Sequence, residues 1–66
     1  MKNLVKVERA KLNITQQELA DKISVSRQTI NSIETQKYIP STVLALKIAD
    51  AFNTNVNAIF VLEEGD

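Results

Sequence analysis

Between Ser26 and Glu34 the chain reads Arg27-Gln28-Thr29-Ile30-Asn31-Ser32-Ile33. Apart from the two isoleucines, every residue of that run carries a hydrogen-bonding group on a short or medium side chain, and Arg27 is its single charge. A helix surface that merely meets water more often carries Glu and Lys, which favour the helix and pair at i,i+4. Gln, Asn, Thr, Ser and Arg are instead the set that reads base edges in a DNA groove. Gln and Asn pair bidentately with adenine, Arg does so with guanine, and a Thr methyl meets the thymine methyl. The same residues also serve as caps and ordinary solvated surface, so composition alone leaves both readings open.

Other chemistry is poorly provided for. There is no cysteine and no histidine, which removes thiolate and imidazole metal ligands, disulfides and the usual general base at neutral pH. Ser24, Ser26, Ser32 and Ser41 have no evident base beside them, and with one glycine the chain has no phosphate-cradling loop. No enzyme, metal, cofactor or small-molecule ligand is expected. No apolar run approaches the ~18 residues of a membrane span, and no signal-peptide pattern opens the chain. A cytoplasmic protein without membrane association is therefore the expectation.

The net charge is zero, but it is unevenly placed. Residues 1–21 carry +1; residues 22–48 carry +3 from Lys22, Arg27, Lys37 and Lys47 against Glu34. Residues 49–66 carry −4 and no cation. A basic middle and an acidic tail suit a partner that is negatively charged and met by the middle.

These residues must be positioned by short helices, because periodicity comes in short pieces and proline and glycine occur once each. The spacing predicts a first helix over Lys2–Leu12, with Val5, Arg9 and Leu12 on its inner face and Leu4 beside it. Asn13, tolerant of the left-handed conformation, ends it. Thr15 and Glu18 form a capping box for a second helix that buries Leu19, Ala20 and Ile23, with Ile14 as a hydrophobic staple. Ser26 caps a third helix with Ile30 and Ile33 inward and Val25 in the corner before it. Thr35 to Ile39 make a loop. Ser41, after Pro40, caps a fourth helix lined by Leu44, Ala45, Ile48, Ala49 and Phe52, which ends at Asn53. Asn55 caps a last short helix with Val56, Ile59 and Phe60 on one side. The expected fold is all-α: a compact five-helix bundle in a single domain, 1–66, with a helix-turn-helix at about 15–34. A short C-terminal strand is a possible addition.

The runs Ile14-Thr15-Gln16-Gln17-Glu18-Leu19-Ala20 and Val25-Ser26-Arg27-Gln28-Thr29-Ile30-Asn31-Ser32-Ile33-Glu34 resemble the Xre/Cro family of helix-turn-helix regulators. So do Lys37-Tyr38-Ile39-Pro40-Ser41 and Leu44-Ala45-Leu46-Lys47-Ile48-Ala49. The likeness covers about residues 4–60 and is to the short, single-domain, cytolysin-repressor-like branch. It implies a lambda-repressor-like bundle whose third helix lies in the major groove of double-stranded DNA. Arg27, Gln28, Asn31 and Ser32 then fall on base-facing positions, with Thr29 at the groove edge. Gln16, Gln17, Lys37 and Tyr38 fall on phosphate-contacting positions. Arg9 and Glu34 match a structural ion pair between the first and third helices, which accounts for an arginine on an inner face. Two departures stand out: Ser24 replaces the usual turn glycine, and Glu8 an apolar residue.

One such unit reads few base pairs against on the order of 10⁶–10⁹ competing genomic sites, so a dimer on a palindrome is expected. The dimerisation region is placed at about 55–62, on Val56, Ile59, Phe60, Val61 and Leu62, more apolar groups than a small bundle needs. Ile59 and Phe60 could equally close the core. The expected function is a transcriptional regulator, a repressor by preference. The alternative is an antitoxin or protein-interaction module on the same fold.

Overall fold

Each helix of this chain is eight to ten residues long, below the ~12–15 at which a helix holds by itself in water, so packing must hold them. In the computed structural model, which describes all 66 residues, the order is β1 (Lys2–Asn3), α1 (Val5–Leu12), α2 (Gln16–Ile23), α3 (Arg27–Glu34) and α4 (Thr42–Ala51). A single 3₁₀ turn (Val56–Ala58) and β2 (Phe60–Val61) complete it. The helices meet on a core whose largest fully buried members are Val5, Leu19, Ile30, Ile33, Ile48 and Ile59. No helix is long and apolar enough to cross a membrane.

The five-helix expectation is corrected at both ends. The first helix does not start at Lys2, because Lys2 and Asn3 pair antiparallel with Val61 and Phe60. Asn3 also marks the boundary: its Oδ1 accepts from the Val5 N–H at 3.2 Å, while its Nδ2 donates to the Ile33 carbonyl at 2.8 Å. One amide thus satisfies an orphan donor of α1 and gives the Ile33 carbonyl, which also accepts from Gln36 N–H, a second donor at the end of α3. At the other end, Asn55 makes no side-chain cap, and the expected fifth helix is only the 3₁₀ turn. Ile59 and Phe60 then enter the core, at 0% and 9% exposure. Leu12 is corrected as well. It lies beyond the packed part of α1 and stays half exposed. Glu8 makes a surface ion pair with Lys11 at 2.8 Å instead of lining the core.

The caps follow the sequence. Glu18 N–H donates to Thr15 Oγ1 at 3.0 Å and Thr15 N–H to Glu18 Oε1 at 2.9 Å, the reciprocal box. Ser26 and Ser41 accept from the Thr29 and Leu44 amides, each at 3.2 Å. All four α-helices are followed by a left-handed residue, and none of these is glycine: Asn13, Ser24, Gln36 and Asn53. In each case the next N–H reaches back to close a Schellman turn: Ile14 to Arg9, Val25 to Ala20, Lys37 to Ser32 and Thr54 to Ala49.

Candidate nucleic-acid interface

Residues Ser24–Ser26 turn the chain between α2 and α3, and the two helices form the most extensive helix–helix contact in the molecule. The turn depends on Ser24 at φ 61°, where an L-residue pays roughly 1 kcal/mol that glycine avoids. Ile30 and Ile33 pin α3 to the core, so the opposite side must face out. Arg27, Gln28 and Asn31 are exposed, whereas Thr29 and Ser32 are half buried. The Thr29 hydroxyl is shared with Ser26 Oγ at 3.0 Å. Ser26, Gln28, Thr29, Ser32 and Tyr38 line one shallow depression, which brings the loop tyrosine beside the second half of the helix.

On the other side of α3 the residues form a network that spacing did not reveal. Gln16 Nε2 donates to Asn31 Oδ1 at 3.1 Å and to Glu34 Oε1 at 3.0 Å, while its Oε1 accepts from Arg27 Nη1 at 3.3 Å. Both amide hydrogens of Gln16 are therefore used within the chain. The Gln16 side chain keeps no free donor for the expected phosphate contact in this arrangement, whereas its main-chain N–H, the first of α2, has no intrahelical partner. Gln17, at the exposed start of α2, gives one hydrogen to Asp21 at 2.8 Å. Lys37 and Tyr38 are exposed in the loop after α3.

The expected ion pair is formed and anchors the network. Arg9 Nε lies 2.7 Å from Glu34 Oε2 and Nη2 lies 3.1 Å from Oε1, a bidentate fork. Nη1 donates to the Ile14 carbonyl at 2.9 Å, tying the turn before α2 to the same group. The side chains of Arg9 and Glu34 are 15% and 4% exposed. Burial alone would raise the Glu34 carboxyl. Hydrogen bonds from Arg9 and Gln16, with the charges of Arg9 and Lys6, outweigh burial and hold it below its usual value. The Arg9 guanidinium is raised in turn, chiefly by its hydrogen bond to Glu34.

At the acidic end, Asp66 Oδ1 and Glu63 Oε1 stand 2.9 and 3.3 Å from the Met1 ammonium, so the tail holds the N-terminus. Of the residues expected at a dimer contact, Ile59 and Phe60 belong to the chain's own core. Val56 is half buried, and Val61 and Leu62 are 38% and 78% exposed. Leu62 shares an apolar groove with Met1, Ile39, Leu46 and Val56, and neither Ile39 nor Leu46 was among the residues expected there. Their exposed apolar character in a helix-flanking loop and on α4 was the available signal.

Two short helices locked by a three-residue turn, the second presenting a polar outer face, are a helix-turn-helix unit. The family model for helix-turn-helix proteins matches residues 5–59, and the chain belongs to that family. It is 50% identical to an uncharacterised HTH-type transcriptional regulator of Methanocaldococcus jannaschii over 66 residues, covering the whole of both chains. It is 47% identical over 64 residues to one from Archaeoglobus fulgidus, spanning 97% of this chain and 90% of that one. The regulator YgzD of Bacillus subtilis is 45% identical over 64 residues, 97% of each chain.

Proposed function

We propose that the chain is a sequence-specific regulator of transcription that binds double-stranded DNA in the cytoplasm. It acts as a repressor, as a homodimer on a palindromic operator, and belongs to the cytolysin-repressor-like branch of single-domain proteins. The observation that carries this reading is the outer side of α3. Arg27, Gln28 and Asn31 stand exposed at its N-terminal end and middle, and no carboxylate pairs with Arg27. In helix-turn-helix proteins this end of the second helix lies against base edges. Thr29 and Ser32 line the edge of the same face. Gln17, Lys37 and Tyr38 flank it and contact phosphates, Lys37 by charge and Gln17 and Tyr38 as hydrogen-bond donors. The relatives carry the name of HTH-type transcriptional regulator, in agreement.

The groove formed with Leu62, Ile39, Leu46 and Val56 is the dimer contact in this reading; Val61, exposed and next to Leu62 in sequence, does not line it. The chain measures 32 × 22 × 20 Å, so two copies side by side suit half-sites one helical turn apart, about 34–36 Å.

The test is titration of the DNA upstream of the chain's own gene at several salt concentrations. Arg27→Ala and Gln28→Ala each lose about 1–3 kcal/mol of discrimination at one base pair, whereas Lys37→Ala weakens all sequences alike. If both truncations leave sequence preference intact, α3 is not a reading helix. Weak, salt-insensitive binding together with a co-purifying protein would favour the antitoxin alternative.

A further inference from the structure

The Gln16 network fixes more than position. We infer that Asn31 reads a hydrogen-bond acceptor in the groove, guanine or thymine, and not adenine. This rests on the proposal that α3 lies in a DNA groove.

Glu34, ionised and paired with Arg9, can only accept, and the Arg27 guanidinium can only donate. The Gln16 amide lies between them, with Nε2 at 3.0 Å from Glu34 Oε1 and Oε1 at 3.3 Å from Arg27 Nη1. Turning this amide over would set N–H against N–H at Arg27 and oxygen against oxygen at Glu34. Its orientation is thus dictated from both ends. The second Nε2 hydrogen is then aimed at Asn31, whose oxygen must face it, as it does at 3.1 Å. Asn31 Nδ2 is left outward and has no partner within the chain.

Bidentate recognition of adenine by asparagine needs both halves of the amide, Oδ1 accepting from N6 and Nδ2 donating to N7. Here one lone pair of Oδ1 is taken by Gln16 and the oxygen is drawn back toward α2, so the NH₂ group is the half presented outward. Guanine presents two acceptors, O6 and N7, and thymine presents O4. Adenine sets its own N6 donor beside N7, and cytosine presents a donor alone. The charged pair at the base of α3 thereby determines which base an uncharged side chain selects. Asn31 acts by contact, and Gln16 is the residue that positions it.

The experiment is selection of short duplexes, randomised across both half-sites, by the full chain and its variants. The position whose preference collapses in Asn31→Ala should be guanine or thymine for the unmodified chain, with about a tenfold loss of discrimination. Gln16→Met, checked for folding by circular dichroism, should admit adenine at that position. Asn31→Asp, an exposed and nearly isosteric change, presents an oxygen outward and should move the preference to cytosine. An adenine at that position in the unmodified chain overturns the inference. So does an unchanged profile in Gln16→Met or in Asn31→Ala. If the unmodified chain enriches no duplex at all, the DNA-reading proposal itself has failed.

Discussion

Arg9→Met removes the guanidinium while keeping much of the aliphatic stem, and so asks what the link between α1 and α3 contributes. Three hydrogen bonds disappear, two to Glu34 and one to the Ile14 carbonyl. Glu34, 4% exposed in the unmodified chain, keeps Gln16 as its remaining donor. Breaking a buried ion pair by removing one member costs about 3–5 kcal/mol; the 15% exposure of Arg9 puts this site near 3 kcal/mol. At about 0.05–0.15 kcal/mol per residue, a 66-residue chain holds roughly 3–10 kcal/mol in all, so the loss is a third or more. Arg9→Met/Glu34→Leu should be less damaged than Arg9→Met alone, because the uncompensated charge goes too. The pH dependence adds a sign. In the unmodified chain Glu34 is held below its ordinary value of 4.5, so the stabilisation is whole above that value and is lost as pH falls through the lower folded value. Without Arg9, burial dominates and the folded carboxyl rises above its ordinary value. The deficit of the variant then shrinks as pH falls from about 7 toward 4.5. Urea unfolding followed by circular dichroism at both pH values reads all three quantities. A cost under ~1 kcal/mol, equal at both pH values, would mean an ion pair of the ordinary surface kind and refute the reasoning.

Other expectations are more local. Ser24→Gly and Gln36→Gly remove left-handed strain at two helix ends and should each stabilise by about 0.5–1 kcal/mol, seen as a rise of several degrees in Tm. A fall in Tm would mean that these serine and glutamine side chains hold their turns. Ile59→Ala should destabilise the fold by about 2–4 kcal/mol, since Ile59 has no exposure. Leu62→Glu should leave unfolding nearly unchanged but shift sedimentation toward monomer, and a persisting dimer would move the contact elsewhere. Lys37→Ala should lower the slope of log affinity against log salt by about one, with sequence preference kept.

The interior helices were legible because each signal was local. The Thr15–Glu18 box, the Ser26 and Ser41 caps and the isoleucine pair of α3 need only neighbours a turn away. Arg9 on an inner face was an anomaly that periodicity left unexplained, and the family resemblance supplied Glu34 as its partner. What was missed depends on residues far apart in the chain. A two-residue strand has too little alternation to show, and the Lys2–Val61 pairing spans nearly the whole sequence. Asn3 carried a usable signal, an asparagine just ahead of Leu4 and Val5, which marks a helix start. Gln36 had none, because glutamine is an ordinary helix residue and only the loop geometry drives it to φ 62°. The role of Gln16 was hidden for another reason. Spacing shows that it begins α2, but not that three partners on α3 converge on one amide.

The small sheet has a consequence for synthesis. Chain elongation produces α1 to α4 first, yet the core remains incomplete until Ile59 and Phe60 arrive beside β1. A nascent chain ending at Phe52 carries every α-helix and a hole where two large apolar side chains belong. Closure of this core therefore waits on residues 59 and 60, and α3 is held firmly only once β2 has met β1.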